Sequence, residues 1–289
     1  MFTYRPSRLV AAQTYAKRFM RRRAVSYPYL SGDAFSNLAD CKIESLDSLS
    51  DNSFLKSLRA ANVVFCRSDI LQDFLTSAGS DLQCRVILSG NSDQEFYDVP
   101  HLLPRSVRRI YLQNNFVTHD ARVVTLPIGL ENYRLGVNGN PKFIEENKVK
   151  NSAKEKILFG PFSFTHFVRQ EVFNEFSTSE GPWEYLNDWT PPKKFNQLAS
   201  TFKYVAAVRG NGVDTHRLWE AMYRGNVGLV LRDNWSLSLD RLRIPIILVD
   251  EWTQECVLES IAKDVFHLPL NPPQTLWVQY WERELKNDC

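Results

Sequence analysis

The sequence predicts an α/β protein made of two Rossmann-like domains that face a central cleft. Three observations predict it. Short apolar runs alternate with helix-like segments, first over residues 60–130 and again over 156–286, the pattern of parallel strands with covering helices. A polar stretch at 132–155, with Gly136, Gly139 and Pro141 among several asparagines, interrupts the alternation and reads as a domain boundary. The length of 289 residues, at roughly 100–200 per domain, accommodates two compact domains with little room for insertions.

The first domain is placed at residues 1–135. Its opening segment carries Arg5, Arg8, Lys17, Arg18, Arg21, Arg22 and Arg23 before the first acid, Asp33. Apolar residues from Leu9 to Met20 recur at helical spacing, so 7–23 reads as a basic amphipathic helix. Such a helix either faces water or offers residues 5–23 as a peripheral contact to an anionic membrane or an acidic partner. NVVFC (62–66) reads as a buried strand, and 68–79 as a helix that starts near Ser68 or Asp69 and ends near Gly79. CRVILSG (84–90), RRIYLQN (108–114) and ARVVTLP (121–127) read as further strands, the last closed by Pro127.

The second domain is placed at residues 136–289. Strands are expected at 156–160, 203–209, 226–232 and 243–250. Helices are expected at 165–176, 191–202, 214–225 and 253–262, with prolines at the start of the second and Gly225 ending the third. The 179–190 segment reads as a loop holding Trp183, Tyr185 and Trp189, rings that serve equally for packing or for stacking on a sugar or base. A last helix at 273–286 is expected to pack back on the first domain.

Composition narrows the function. Apolar residues make up 44% and charged residues 24%, which excludes a disordered or collagenous chain. A net charge of +2 argues against nucleic acid as a partner. The five cysteines are odd in number and hold no C-x-x-C pair, and Cys66 and Cys84 fall in strand-like runs; free thiols in a reducing, cytoplasmic setting are expected. No apolar run reaches the ~18 residues that span a bilayer, and no leader-like apolar core is visible in the first twenty residues.

The chemistry concentrates in residues 203–232, a strand, a glycine-bearing turn, a helix and a second strand. Gly210 and Gly212, two of only twelve glycines, flank Asn211 and let backbone approach a ligand without Cβ obstruction. The helix that follows offers free N–H groups and a positive dipole end, which suit a diphosphate. Arg209, at the carboxyl end of the strand, is placed to reach the same anion. Arg217 and Glu220 are three apart and share a helix face; Glu220 is placed to accept ribose hydroxyls, with a surface pair to Arg224 as the competing role. Asp214 reads equally as an N-cap or a ligand contact, and Thr215 adjoins it. His216 has no second histidine at metal-ligand spacing. The pattern is neither a dinucleotide fingerprint, since Thr215 stands where the third glycine belongs, nor a Walker A loop.

R-G-N-G-V-D-T-H-R-L-W-E-A-M-Y-R-G-N-V-G-L-V, followed by I-P-I-I-L-V-D-E-W, resembles the nucleotide-sugar-binding half of exostosin-type glycosyltransferases. The α1,3-fucosyltransferases resemble it more loosely. The likeness is specific over about 203–252 and departs at Gly225–Leu229, where the family has a Gly-Cys-x-Pro-Val pattern. It implies a GT-B-like fold and a glycosyltransferase that takes a nucleotide-diphosphate sugar as donor and a glycan or lipid-linked acceptor. It also implies inversion, no metal and no cofactor beyond the donor. No Asp-x-Asp pair of the kind that holds a metal on a diphosphate occurs in the chain, and the position eight before Glu220 is Gly212 rather than a second glutamate.

Such a transfer needs a general base and stabilisation of the departing diphosphate. Arg169, with Ser163 and Thr165 in the loop before it, is a further phosphate candidate, with an exposed helix arginine as the alternative. The base is sought in the first domain. Asp93 and Glu95 follow the 84–90 strand, with Asn91 and Ser92 as hydrogen-bond partners; Asp33 and His119 are the other candidates. Two further readings stay open: a non-catalytic nucleotide- or glycan-binding protein of the same fold, and a nucleotide-dependent oxidoreductase.

Overall fold

The computed structural model describes residues 24–78, 82–136, 138–149, 153–264 and 273–289. The expected basic helix at 7–23, and with it the expected membrane contact through residues 5–23, lies outside them.

The described strands form two parallel five-stranded sheets, one per half, as the alternation predicts. In the first half, Cys41–Ile43 (β1), Val63–Arg67 (β2), Val86–Gly90 (β3), Arg109–Leu112 (β4) and Val123–Thr125 (β5) lie side by side in chain order. The apolar runs are continuous because both faces are covered. Phe65, Leu88 and Tyr111 stand in one row on the inner face. Val64, Ile87 and Ile110 form the matching row outside. There they meet Leu58 of Asn52–Ala60 (α2) and Phe74 of Leu71–Ala78 (α3), while Gly32–Ser36 (α1) lies on the inner side.

The boundary stretch contains a short helix, Pro141–Glu145 (α4), capped by Asn140. Beyond it come Lys154–Phe159 (β6), Phe167–Phe176 (α5), Trp183–Tyr185 (β7), Pro192–Ala199 (α6) and Phe202–Ala206 (β8). His216–Arg224 (α7), Val227–Leu231 (β9), Asn234–Arg241 (α8), Ile246–Val249 (β10) and Gln254–Asp264 (α9) complete the half. The strand order is β7-β6-β8-β9-β10. The chain therefore steps outward from β6 to β7 and then returns to the other side of β6 to lay down β8. Between the carboxyl ends of β6 and β8 the winding reverses, and the crevice at such a switch point is where open α/β sheets bind ligands.

Among the described residues, six elements were not expected from the sequence: α1, β1, α2, α4, β7 and α8. The 179–190 segment contains the edge strand β7, with Trp183 buried against Phe176 at 5.3 Å. Residues 234–241 form α8, which seats Trp235 and Leu239 in the core and touches β5 through Thr125 Oγ1 and Ser238 Oγ. The last helix, Val278–Asp288 (α10), runs along the first sheet: Trp281 meets Phe35 and Tyr111 edge-on, and the Tyr111 hydroxyl donates to Asp288. One apolar cluster passes from the inner face of the first sheet through α7, α8 and α10, so the halves share a core. Among the described residues no helix is long and apolar enough to cross a membrane.

Candidate functional site

The apolar residues of α7 fix its orientation. Leu218, Trp219, Ala221 and Met222 are buried, and Gly225 stops the helix in the left-handed conformation. The N-terminus emerges beside the switch point, and Thr215, not Asp214, is the N-cap residue. The Thr215 side chain makes no capping bond, and its Oγ1 is buried without a hydrogen-bond partner among the described residues. The first N–H groups of the helix and one hydroxyl are thus left for something else.

Asp214 binds the halves together. One carboxylate oxygen accepts the backbone N–H of Ile128 at 2.8 Å and the other accepts the indole N–H of Trp219 at 2.7 Å. Burial outweighs these donors and pushes its pKa up to about 7. The cap expectation for Asp214 is corrected accordingly; both its oxygens accept from the protein, and the residue also lines the switch-point cavity. The neighbouring contacts have the same purpose. The Asp214 N–H donates to Asn114 Oδ1 at 3.0 Å, and His216 Nδ1 donates to the Gly129 carbonyl at 2.8 Å. A Cβ on Gly212 would stand 2.9 Å from the Asn114 amide, and one on Gly210 would stand 2.8 Å from the Arg169 guanidinium. The close approach that these glycines permit is therefore to the protein's own side chains.

A cavity of about 410 Å³ opens at the switch point, lined from both sides. The β6 loop supplies Pro161, Phe162, Ser163 and Thr165; the β8 loop supplies Val208, Gly210, Asn211, Gly212, Asp214 and Thr215; α7 supplies His216, Arg217 and Glu220. Trp189, Phe195 and Asn196, together with Asp93, Ile128 and Asn138, also line it.

Arg217 donates to the Gly160 carbonyl at 2.6 Å and the Pro161 carbonyl at 3.1 Å, and lies over the rings of Phe195 and Phe162 at 4.6 and 5.1 Å. Burial lowers its pKa to about 10, so it remains a cation at neutral pH. Arg169 stitches the two loops together, donating to the carbonyls of Ser163, Val208 and Arg209 and to Thr165 Oγ1. It is half-buried, not the exposed helix arginine of the alternative reading.

Glu220 is the exceptional group. It is 8% exposed, lines the cavity, and accepts no hydrogen bond from any described residue. Burial raises its pKa, and the charges of Arg224 and Arg217 work against that rise. The surface pair with Arg224 is not formed: Arg224 is 1% exposed and donates to Asn226 and Asn196 instead. A buried carboxylate with its acceptors unused and facing a cavity is suited to ligand hydroxyls.

The first-half candidates separate. Asp93 lines the cavity as an exposed carboxylate. Glu95 does not: its oxygens receive Arg209 Nη2 at 2.5 Å and the Tyr97 hydroxyl at 2.8 Å. Arg209, expected on the anion, is thereby committed to Glu95, and its Nε is buried without a partner. Asp33 pairs with Arg134 at 3.2 Å and borders a different cavity, of about 660 Å³, together with Asn91. His119 is exposed and borders neither cavity. Among the described residues no group of three or more His, Cys, Asp or Glu side chains could hold a metal ion.

Sequence reasoning missed Asn114, Phe162, Phe195 and Asn196. Asn114 carried a signal: three consecutive amides, Gln113 to Asn115, follow β4, and Asn114 takes φ +51°, a conformation asparagine tolerates. Phe195 and Asn196 on α6 carried none, because core phenylalanine has the same spacing.

No protein-family model and no curated protein matches the chain. Among solved structures, the crystal structure of CalG4, the calicheamicin glycosyltransferase, aligns over 90% of this chain and 80% of its own, at 12% identity and a TM-score of 0.32. A likeness of that size adds nothing to what the site residues say.

Proposed function

We propose that the protein is a glycosyltransferase that moves a sugar from a nucleoside-diphosphate donor to a hydroxyl of a glycan or lipid-linked acceptor. The observation that carries this reading is Glu220, a buried carboxylate with unused acceptors, one helical turn from an uncapped N-terminus in the switch-point cavity. The helix N-terminus and the Thr215 hydroxyl suit the diphosphate, Glu220 suits the ribose hydroxyls, and the Phe162, Trp189 and Phe195 rings suit the base. Trp189 is 73% exposed at the cavity edge, where a stacked ring would cover it.

Asp93 faces that site from the first half and is the assigned base. It takes the acceptor proton as the hydroxyl oxygen attacks the anomeric carbon. The bond to the diphosphate breaks on the opposite side, which inverts the centre. The departing negative charge falls to the N–H groups of α7 and to Arg217. No cofactor beyond the donor and no metal is assigned a role, as the exostosin-type resemblance implies. Asp93→Asn is expected to lower transfer from UDP-, GDP- or dTDP-sugars about 100-fold or more while donor affinity is kept. Equal transfer by variant and wild type overturns the assignment.

One observation favours the binding-protein alternative. Glu95 and Asp33 are held in ion pairs, and Asp93 accepts no hydrogen bond from any described residue that would orient it. That alternative predicts nucleotide-sugar binding with neither transfer nor donor hydrolysis.

A further inference from the structure

We infer that the Arg209–Glu95 ion pair is a latch that the donor opens: the diphosphate takes Arg209 from Glu95 as it binds. The inference rests on the donor reading of the switch-point cavity. Three observations carry it. The pair spans the two halves, Nη2 to Oε1 at 2.5 Å, with side chains only 21% and 16% exposed. It satisfies Arg209 incompletely, because Nε is buried and has no partner. And Arg209 stands in the chain between Val208 and Gly210, both of which line the cavity, while its own guanidinium is turned to Glu95 outside that lining.

The cations that line the cavity, Arg169 and Arg217, are less available. Arg169 and Arg217 each spend several N–H groups on backbone carbonyls of the loops that shape the site. Arg209 spends one on a carboxylate, a partner that a diphosphate outcompetes with more charge and more acceptor oxygens. Exchanging one anion for another leaves the guanidinium paired throughout, so the step avoids stranding a partly buried charge. Glu95 would not drift once released, because the Tyr97 hydroxyl still holds its second oxygen at 2.8 Å and Tyr97 stacks on Phe116 with ring centroids 4.8 Å apart. The freed carboxylate lies two residues along the chain from Asp93, which lines the cavity. Donor binding would thus both complete the anion site and free the Glu95 carboxylate from its pair.

The test is calorimetric titration of metal-free GDP and UDP, and of guanosine and uridine, into wild type, Glu95→Gln and Arg209→Ala. In Glu95→Gln, which frees Arg209 in advance, the diphosphate recognised by wild type should bind about fivefold or more tightly. Its nucleoside should bind with unchanged strength, since Arg209 acts through phosphate. Arg209→Ala should weaken the diphosphate by a similar factor and decides the matter if Glu95→Gln fails to fold. Diphosphate affinity that both substitutions leave unchanged overturns the latch alone. A nucleoside gain in Glu95→Gln equal to the diphosphate gain also overturns it, as the mark of a merely loosened site. No binding of either diphosphate by any of the three proteins overturns the donor reading, and the latch with it.

Discussion

Asp214 and Glu220 are both carboxylates inside the same helix-and-loop segment, and their surroundings give them opposite work. Both line the cavity, but Asp214 has two donors from the protein and joins the halves, whereas Glu220 has none among the described residues. Asp214→Ala strands the Ile128 N–H and the Trp219 indole, and a loss of about 2–4 kcal/mol is expected in denaturant unfolding. The pH dependence has a definite sign. Because burial raises the Asp214 pKa from 3.8 to about 7, its protonated form stabilises the fold. That contribution is fully present below about pH 4 and is lost as pH rises through about 7. Wild type should therefore lose stability over that interval relative to Asp214→Asn, measured by midpoints at matched pH. Parallel pH profiles for the two proteins would show that Asp214 does not titrate there. At this scale the sequence named both residues without telling them apart. Burial and donor count decide between a joint and a ligand contact, and both depend on Ile128, Asn114 and the rest of the first half, distant in the chain.

Elements were legible in proportion to their length and burial. Strands such as β2 and β3 are apolar on both faces and read directly from the sequence. Edge strand β7 is three residues after Gly181-Pro182 and pairs on one side only, so it leaves no alternation to find. Helix α8 was missed because its apolar residues, Trp235, Leu237 and Leu239, alternate with serines rather than recur at helical spacing, and the burial of Trp235 and Leu239 is set by β5 across the interface. The glycine turn was recognised, but its steric purpose was not. Its glycines make room for Asn114 and Arg169. Gly212→Ala places a Cβ within 3.0 Å of the Asn114 amide and should cost about 1–3 kcal/mol by forcing the β8 loop off the first half. A melting temperature equal to that of wild type would show that the interface yields at no cost.

On the scale of the molecule, the shared core matters more than the division into halves. Trp219 and Tyr223 of α7, Trp235 of α8 and Trp281 of α10 belong to the same cluster as Phe65 and Leu88 of the first sheet. The Tyr223 hydroxyl bridges the chain at both ends, accepting from the Leu30 N–H at 3.0 Å and donating to the Leu276 carbonyl at 2.7 Å. Halves joined this way should unfold together, so scanning calorimetry is expected to give one transition whose calorimetric and van't Hoff enthalpies agree. Two resolved transitions would show independent domains. The sequence pointed to two sheets because alternation is local. That their inner faces are one core was not legible, since nothing in a strand's pattern says which helices cover it.

The central claim is that the switch-point cavity holds a nucleoside diphosphate through Glu220 and the α7 N-terminus. Titration calorimetry of UDP and GDP into wild type and Glu220→Ala tests it most directly. Wild type is expected to bind one of the two, and Glu220→Ala, still folded, to bind it about tenfold or more weakly through loss of charge-assisted hydrogen bonds to ribose. Binding of neither diphosphate by folded wild type, or equal affinity in the two proteins, would contradict the claim.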